Sequence, residues 1–140
     1  MPVLWTVVDA SVVVKWFLPE PSRQAALRLL HHYQEESIKL FAPALVILEV
    51  SNVFCKRVRR GEMSATKAKE AYHLLKINAP ILVDDRELMD DAVTLALASG
   101  QAMHDCLYLA LALRQRCEMI TADEKFHSAI AAAFPNVLPL

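Results

Sequence analysis

The sequence predicts an α/β fold in which a small parallel β-sheet has helices on both faces. Short apolar runs alternate along the chain with longer segments of helical period. Because parallel strands need crossover connections, which are usually helices, this alternation is typical of a three-layer sandwich. The chain has 140 residues, of which 55% are hydrophobic and 22% are charged. This composition favours one folded domain, 1–140, over a disordered tail.

The first half of the chain alternates two predicted strands with two predicted helices. Residues 3–8 form a valine-rich run of the kind found in buried strands. Ser22 can cap an amphipathic helix, and residues 39–41 can form a brief strand. We expect a second helix to begin at Pro43 and to end at Gly61, since proline suits the first turn of a helix and glycine its carboxyl-terminal cap.

The second half continues the alternation and adds three strands. Neither a repeat nor a low-complexity segment interrupts it. The predicted elements are, in order, a helix from Ser64, a strand at 81–83, a helix over 88–100, a helix from near Asp105, a strand at 119–121, a helix from Asp123 to about residue 133 and a strand at 137–138.

Several classes of function are excluded by motifs that the sequence lacks. Its two glycines, Gly61 and Gly100, cannot supply the glycine-rich loops of Rossmann or P-loop nucleotide sites. It contains no HExxH or C-x-x-C zinc motif. Because no positive charge precedes Lys15 and no uncharged run reaches about 18 residues, we expect neither an export signal nor a membrane span. Three cysteines in apolar stretches suit a reducing compartment, so we expect a cytoplasmic protein.

Glu49 interrupts a strongly apolar predicted helix. Its neighbours on the helix face include Leu45, Val46 and Val53, and no basic residue reaches that face before Lys56. An ionised carboxylate in apolar surroundings is costly unless a positive group lies beside it. Glu49 therefore either lies on a solvated side of its helix or belongs to a binding site.

Three aspartates also follow or interrupt apolar segments. Asp9 and Asp123 come after predicted strands, and parallel sheets place ligand sites beyond the carboxyl ends of their strands. Asp105 begins a helix with an apolar stripe. Each of the three alone could simply cap a helix. Together with Glu49, they would repel one another unless one or two divalent cations lay between them, and oxygen ligands favour Mg²⁺ or Mn²⁺.

Such a site suits the hydrolysis of a phosphodiester by water that a metal ion activates. A serine nucleophile is disfavoured, because Ser11 lies in no GxSxG motif and has no obvious base. The pair Asp84 and Asp85 resembles the start of a receiver domain, but only 55 residues follow Asp85, which is too few for the rest of that fold. We interpret the pair as a helix cap with an extra first-turn acid.

Four segments carry a pattern that covers nearly the whole chain: residues 8–20, the helix of Glu49, residues 104–112 and residues 120–123. They resemble the four motifs of the PIN domain family, specifically of the VapC-type toxin ribonucleases. One departure is His104, where relatives often have tyrosine.

The resemblance implies a small parallel sheet with flanking helices and a Mg²⁺-dependent endoribonuclease, the toxin of a type II toxin–antitoxin pair. It also implies a homodimer and a small antitoxin whose carboxyl-terminal segment covers the site. By motif position, the catalytic and metal-binding residues would be Asp9, Glu49, Asp105 and Asp123, with Ser11 and Thr121 as polar supports.

The basic run at 56–60 places four positive charges at a helix end. It is either a solvated helix end, favoured by the helix dipole, or a set of RNA phosphate contacts that includes Arg57, Arg59 and Arg60. Without the four site acids, the remaining 12 acidic and 15 basic residues carry +3, which permits an RNA partner. Lys15 is a candidate to hold substrate phosphate, or to pair with a site acid when no metal is bound.

A different interpretation is a non-catalytic or RNA-processing PIN scaffold that binds RNA or protein without an antitoxin. The presence of all four acids favours the nuclease. In so apolar a chain, Trp5, Trp16, Phe17 and Phe54 suggest a hydrophobic surface that meets another subunit or a peptide.

Overall fold

A five-stranded parallel sheet forms the centre of the protein. The structure, a computed structural model, describes residues 3–140, and in that range the sheet order is β3-β2-β1-β4-β5 with every pairing parallel. Each predicted strand is present, and the predicted fold class is confirmed. The strands are β1 (Leu4–Val8), β2 (Ile38–Pro43), β3 (Ile81–Val83), β4 (Glu118–Thr121) and β5 (Val137–Pro139).

Helices cover both faces of this sheet. Val7 and Val8 are consecutive in β1 and therefore point to opposite faces, yet both are fully buried. The described residues form seven α-helices, with short 3₁₀ turns at Val14–Trp16 and Asp85–Glu87. The helices are α1 (Ala10–Val13), α2 (Arg23–Gln34), α3 (Leu45–Arg59), α4 (Ala65–Asn78), α5 (Met89–Ser99), α6 (Met103–Gln115) and α7 (Glu124–Ile130).

The direction of strand order changes between β1 and β4. From β1, the sheet extends through β2 and β3 on one side and through β4 and β5 on the other. Connections that leave neighbouring strands in opposite directions open a crevice at the carboxyl edge of a sheet, which is where α/β proteins bind ligands. β1 ends at Val8 and β4 ends at Thr121, so Asp9 and Asp123 lie at this crevice.

One helix begins later than predicted, and one short helix was not predicted. Pro43 ends β2 and α3 begins at Leu45, because the sheet continues until Ala44 N donates to Val83 O at 2.8 Å. Helix α1 was not predicted, since a run of valines has weak helix propensity. Burial of Val12 and Val13 in the core overrides that preference.

The predicted caps have mixed outcomes. Ser64 accepts from Lys67 N at 3.1 Å, and Gly61 follows α3 with φ +73°, as a helix-ending glycine does. Ser22 occupies the N-cap position of α2, as predicted, but its side chain makes no capping hydrogen bond. Asp84 caps only the 3₁₀ turn, through Arg86 N, and is separated from α5 by that turn.

Much of the predicted exposed aromatic surface lies inside the protein. Trp16 is 4% exposed and Phe54 is 1% exposed, because they pack into the core, and Phe17 is half-buried. Trp5 is 47% exposed and packs against Phe41. A membrane-crossing helix is absent from residues 3–140, none of whose helices is long and apolar enough.

Candidate active site

Four acidic side chains line one small cavity at the carboxyl edge of the sheet. Asp9 follows β1, Glu49 lies on α3, Asp105 lies in the first turn of α6, and Asp123 directly precedes α7. The structure thus brings together the four acids selected from the sequence. The cavity has a volume of about 140 Å³, and the other lining residues are Ala10, Ser11, His104 and Tyr108.

Asp9 is the most deeply buried of these acids, with 5% of its surface exposed. Ser11 Oγ donates to its Oδ1 and Thr121 Oγ1 donates to its Oδ2, each at 2.5 Å. Val12 N adds a longer bond of 3.3 Å to Oδ1, so that Asp9 also caps α1. Burial raises the pKa of Asp9 to about 6, although these hydrogen bonds act in the opposite direction.

The same two hydroxyls connect Asp9 to the chain around Asp123. Ser11 Oγ accepts from Ala122 N at 2.8 Å, and Thr121 Oγ1 accepts from Asp123 N at 3.1 Å. The Asp123 carboxylate caps α7 by accepting from Phe126 N at 3.0 Å. Ser11 and Thr121 therefore connect Asp9 to the segment of Asp123, and their support of a metal ion or its water stays a prediction.

Glu49 is half-buried and bound by a tyrosine. Tyr108 OH donates to its Oε1 at 2.6 Å. Burial raises the pKa of Glu49, and the Tyr108 hydrogen bond and the nearby His104 oppose this rise. Within the described residues, neither lysine nor arginine lines the cavity, and the basic side chain in its lining is His104.

Asp105 lies beside His104 at the cavity rim. The distance between His104 Nε2 and Asp105 Oδ1 is 3.6 Å. Burial raises the pKa of Asp105, while His104 lowers it and Asp123 raises it. The expectation that Asp105 could cap α6 was wrong, because the helix already begins at Met103, with Ala102 in the cap position.

The donor set fits a hard divalent cation. The cavity presents carboxylate oxygens without a lysine or arginine, and such oxygens suit Mg²⁺ or Mn²⁺. In residues 3–140, no three His, Cys, Asp or Glu side chains are already grouped as a complete ligand set. Mg²⁺ does not require one, since it is usually held by one or two carboxylates, water and substrate phosphate.

Lys15 lies outside the lining of this cavity. Its Nζ donates to Pro21 O at 2.8 Å and to Glu20 Oε1 at 3.4 Å, and the residue is 9% exposed. The expectation that Lys15 pairs with a site acid when no metal is bound was wrong, because its acidic partner is Glu20. A contact between Lys15 and substrate phosphate stays a prediction.

The basic run at 56–60 divides into two parts. Arg57 turns inward and binds Glu20 Oε2 at 2.7 Å and Glu62 Oε2 at 3.7 Å. Arg59 and Arg60 are exposed at the end of α3. Among the three arginines of the run, Arg59 and Arg60 can contact a phosphate without first breaking the ion pairs that Arg57 makes.

Two contacts at the site were not predicted from the sequence. Tyr108 was interpreted as part of an apolar stripe, although its position three residues after Asp105 places it on the same helix face. Asp85 accepts from Leu45 N at 3.0 Å and so caps α3, the helix of Glu49, from a distant part of the chain. Asp85 also lies in the first turn of the 3₁₀ helix Asp85–Glu87, as predicted, so only its contact with α3 was missed.

Comparison with known proteins agrees with this architecture. A sequence model of the PIN domain matches residues 6–131, which include all four cavity acids. Ribonuclease VapC3 of Pyrobaculum aerophilum is 30% identical, with 94% of this chain and 96% of the relative covered.

Two solved structures share the fold at lower identity. PAE2754 from Pyrobaculum aerophilum has a TM-score of 0.67 at 19% identity and covers 99% of this chain and 92% of its own. A chain of a toxin–antitoxin complex from Klebsiella pneumoniae has a TM-score of 0.59 at 15% identity and covers 95% of each. Because the sequence model spans most of the chain and the VapC3 alignment nearly all of it, this protein belongs to the PIN domain family.

Proposed function

We propose that this protein is a Mg²⁺- or Mn²⁺-dependent endoribonuclease and the toxin of a type II toxin–antitoxin pair. The observation that carries the proposal is the meeting of Asp9, Glu49, Asp105 and Asp123 at one cavity. The name of the relative, a ribonuclease, and the toxin–antitoxin origin of one similar structure support it.

The chain's own residues would prepare the cavity for a cation. All four acids would hold it, and burial of Asp9 and Glu49 strengthens their attraction to positive charge. When bound, a divalent cation would offset the charge of a phosphate and lower the pKa of a water molecule, so that hydroxide is available as a nucleophile. Ser11 and Thr121 hold the two Asp9 oxygens in place, as residues behind a metal ligand commonly do.

Water is the nucleophile that this site favours. Ser11 Oγ donates to Asp9 and accepts from Ala122 N, so its proton and one lone pair are already engaged. Thr121 Oγ1 is engaged in the same way by Asp9 and Asp123 N. Attack by external water that expels the ribose 3′-oxygen leaves 5′-phosphate and 3′-hydroxyl ends, whereas attack by the ribose 2′-hydroxyl expels the 5′-oxygen and leaves 2′,3′-cyclic phosphate.

RNA binding would depend on positive charge outside the cavity. Arg59 and Arg60 would supply sequence-independent phosphate contacts, and Arg57 would do so only after leaving Glu20. Lys15 would approach the substrate from the far side of Thr121, since both residues line a neighbouring cavity. A homodimer and a small antitoxin complete the proposal, and light scattering of the purified protein tests the dimer.

The second candidate is a PIN scaffold that binds RNA or protein without an antitoxin and without cutting RNA. Such a scaffold would bind RNA equally well with and without a divalent cation. It would leave the RNA intact under both conditions.

Cleavage of single-stranded RNA tests the two candidates. Purified protein should cut RNA in Mg²⁺ or Mn²⁺, stop in EDTA, and resume when the cation is restored. The new ends should be 5′-phosphate and 3′-hydroxyl. Cleavage that persists in EDTA or leaves 2′,3′-cyclic phosphate would contradict the proposed chemistry, and binding without any cleavage would support the scaffold.

A further inference from the structure

Tyr108 joins the helices that carry two of the four acids. It lies on α6, three residues after Asp105, and is 1% exposed. Its hydroxyl reaches α3, where it donates to Glu49 Oε1 at 2.6 Å. The bond therefore fixes the Glu49 carboxylate relative to the helix of Asp105.

This hydrogen bond makes the two Glu49 oxygens unequal. Oε1 accepts from Tyr108, and in the described residues this is the only hydrogen bond to the carboxylate. The pKa of Tyr108 is raised by burial and further by the neighbouring Glu49, so the hydroxyl keeps its proton and acts as the donor. Both residues line the acidic cavity, which leaves Oε2 as the oxygen without a protein partner.

The start of α3 is held independently of Tyr108. Asp85 accepts from Leu45 N, one turn before Glu49, and so fixes the helix rather than the carboxylate. The helix backbone and the side chain thus have separate supports. Loss of the Tyr108 hydroxyl should free the carboxylate without releasing the helix.

We propose that Tyr108 is a positioning residue that leaves Glu49 one free oxygen for a cation and thereby favours a small octahedral cation over Ca²⁺. The inference rests on the proposed function. Mg²⁺ demands near-octahedral geometry at short distances, whereas Ca²⁺ accepts about six to eight oxygens and often takes both oxygens of one carboxylate. A carboxylate with one oxygen engaged by a tyrosine suits the first cation better than the second.

Calorimetric titration of the full chain with Mn²⁺ and with Ca²⁺ tests this role without relying on RNA cleavage. Tyr108→Phe keeps the buried ring and removes the hydroxyl. Its Mn²⁺ affinity should fall roughly 10- to 100-fold, as for other residues behind a metal ligand. Its Ca²⁺ affinity should fall less, because both Glu49 oxygens become available, so preference should shift toward Ca²⁺.

Tyr33→Phe is the matched control. The Tyr33 hydroxyl donates to Ala79 O at 3.0 Å and lies outside the cavity lining. This variant loses a comparable hydrogen bond and should bind both cations as the wild type does. The double variant Tyr108→Phe/Glu49→Gln should bind Mn²⁺ no more weakly than Glu49→Gln alone, since the hydroxyl acts through Glu49.

The outcomes separate the inference from the proposed function. A wild-type chain that binds no Mn²⁺ would overturn the proposed metal-dependent function. If the wild type binds Mn²⁺ but Tyr108→Phe keeps the wild-type ratio of Ca²⁺ to Mn²⁺ affinity, only the role of Tyr108 is overturned. An equal fall of the Mn²⁺ and Ca²⁺ affinities in Tyr108→Phe would also overturn this role, because it would show only that the hydroxyl holds α3 and α6 together.

Discussion

Thr121 Oγ1 donates to Asp9 Oδ2 at 2.5 Å and joins the ends of two adjacent strands. The two residues are 112 positions apart in the sequence. The contact exists because β1 and β4 are paired in parallel, which places their carboxyl ends side by side. The Thr121 hydroxyl therefore orients Asp9, the most buried acid of the cavity. It also holds the backbone of Asp123, a second acid of the cavity, by accepting from Asp123 N.

Removal of that hydroxyl should impair cleavage while the fold survives. Thr121→Val keeps the branched shape but leaves one Asp9 oxygen and Asp123 N without their partner. We expect the rate of RNA cleavage to fall roughly 10- to 100-fold, as for other residues that orient metal ligands. Thr121→Ser keeps the hydroxyl and should retain most of the activity. Equal activity in the valine and serine variants would show that the contact does not orient Asp9.

The pKa of Asp9 predicts how stability depends on pH. Its rise from 3.8 to about 6 means that the folded protein holds a proton that the unfolded chain has already lost. The stabilising contribution is complete below pH 3.8 and disappears as pH rises through 6. In EDTA, the free energy of unfolding should therefore fall by about 3 kcal/mol across this range through Asp9 alone.

Urea unfolding at several pH values measures this effect. Asp9→Asn should flatten the fall in stability between pH 4 and 7. Asp84→Asn is a suitable control, because Arg86 holds the pKa of the exposed Asp84 at about 2, outside the tested range. If Asp9→Asn keeps the wild-type slope, Asp9 is not the group that titrates.

The exposed arginines should affect the salt dependence of RNA binding. Each phosphate contact with single-stranded nucleic acid adds about 0.7 to the slope of log affinity against log salt. Arg59→Ala/Arg60→Ala should therefore lower this slope by up to about 1.4 and raise KM with kcat nearly unchanged. The measurement is cleavage kinetics at several salt concentrations.

Arg114 and Arg116 provide a control for Arg59 and Arg60, because they are also two positive charges at the end of a helix. Helix α6 begins at the cavity and ends at Gln115, about 20 Å away at 1.5 Å per residue, so Arg114 and Arg116 lie far from the four acids. Arg114→Ala/Arg116→Ala should leave the salt slope unchanged. If both double variants behave alike, the run at 56–60 is a solvated helix end.

The sequence was most informative where one residue type stood out from its surroundings. Asp9 and Glu49 were recognisable because a carboxylate in an apolar segment needs an explanation, and the strands because apolar runs alternate with helices. Tyr108 and Asp85 were not recognisable, since their partners, Glu49 and Leu45, are 59 and 40 positions away. Local spacing predicts an element and its face, whereas the partner of a polar side chain depends on how distant elements pack.

The orientation of Arg57 also depends on a partner that is distant in the sequence. The sequence gives no reason to treat the four basic residues at 56–60 differently. Arg57 differs from the others because Glu20, on a separate loop, lies beside it. A half-buried partner of opposite charge, here Glu20, orients the Arg57 side chain in a way that composition does not reveal. The phosphate-binding hypothesis consequently narrows to the exposed members of the run.

The most direct test of the central claim is the rate of RNA cleavage by Asp9→Asn, Glu49→Gln and the double variant in saturating Mg²⁺. If the acids act as one metal-binding unit, each single change should abolish cleavage and the double variant should be no worse than either, because residues that act together are not additive. Circular dichroism should show all three variants folded. Full activity of Glu49→Gln, in a folded protein, would contradict the account.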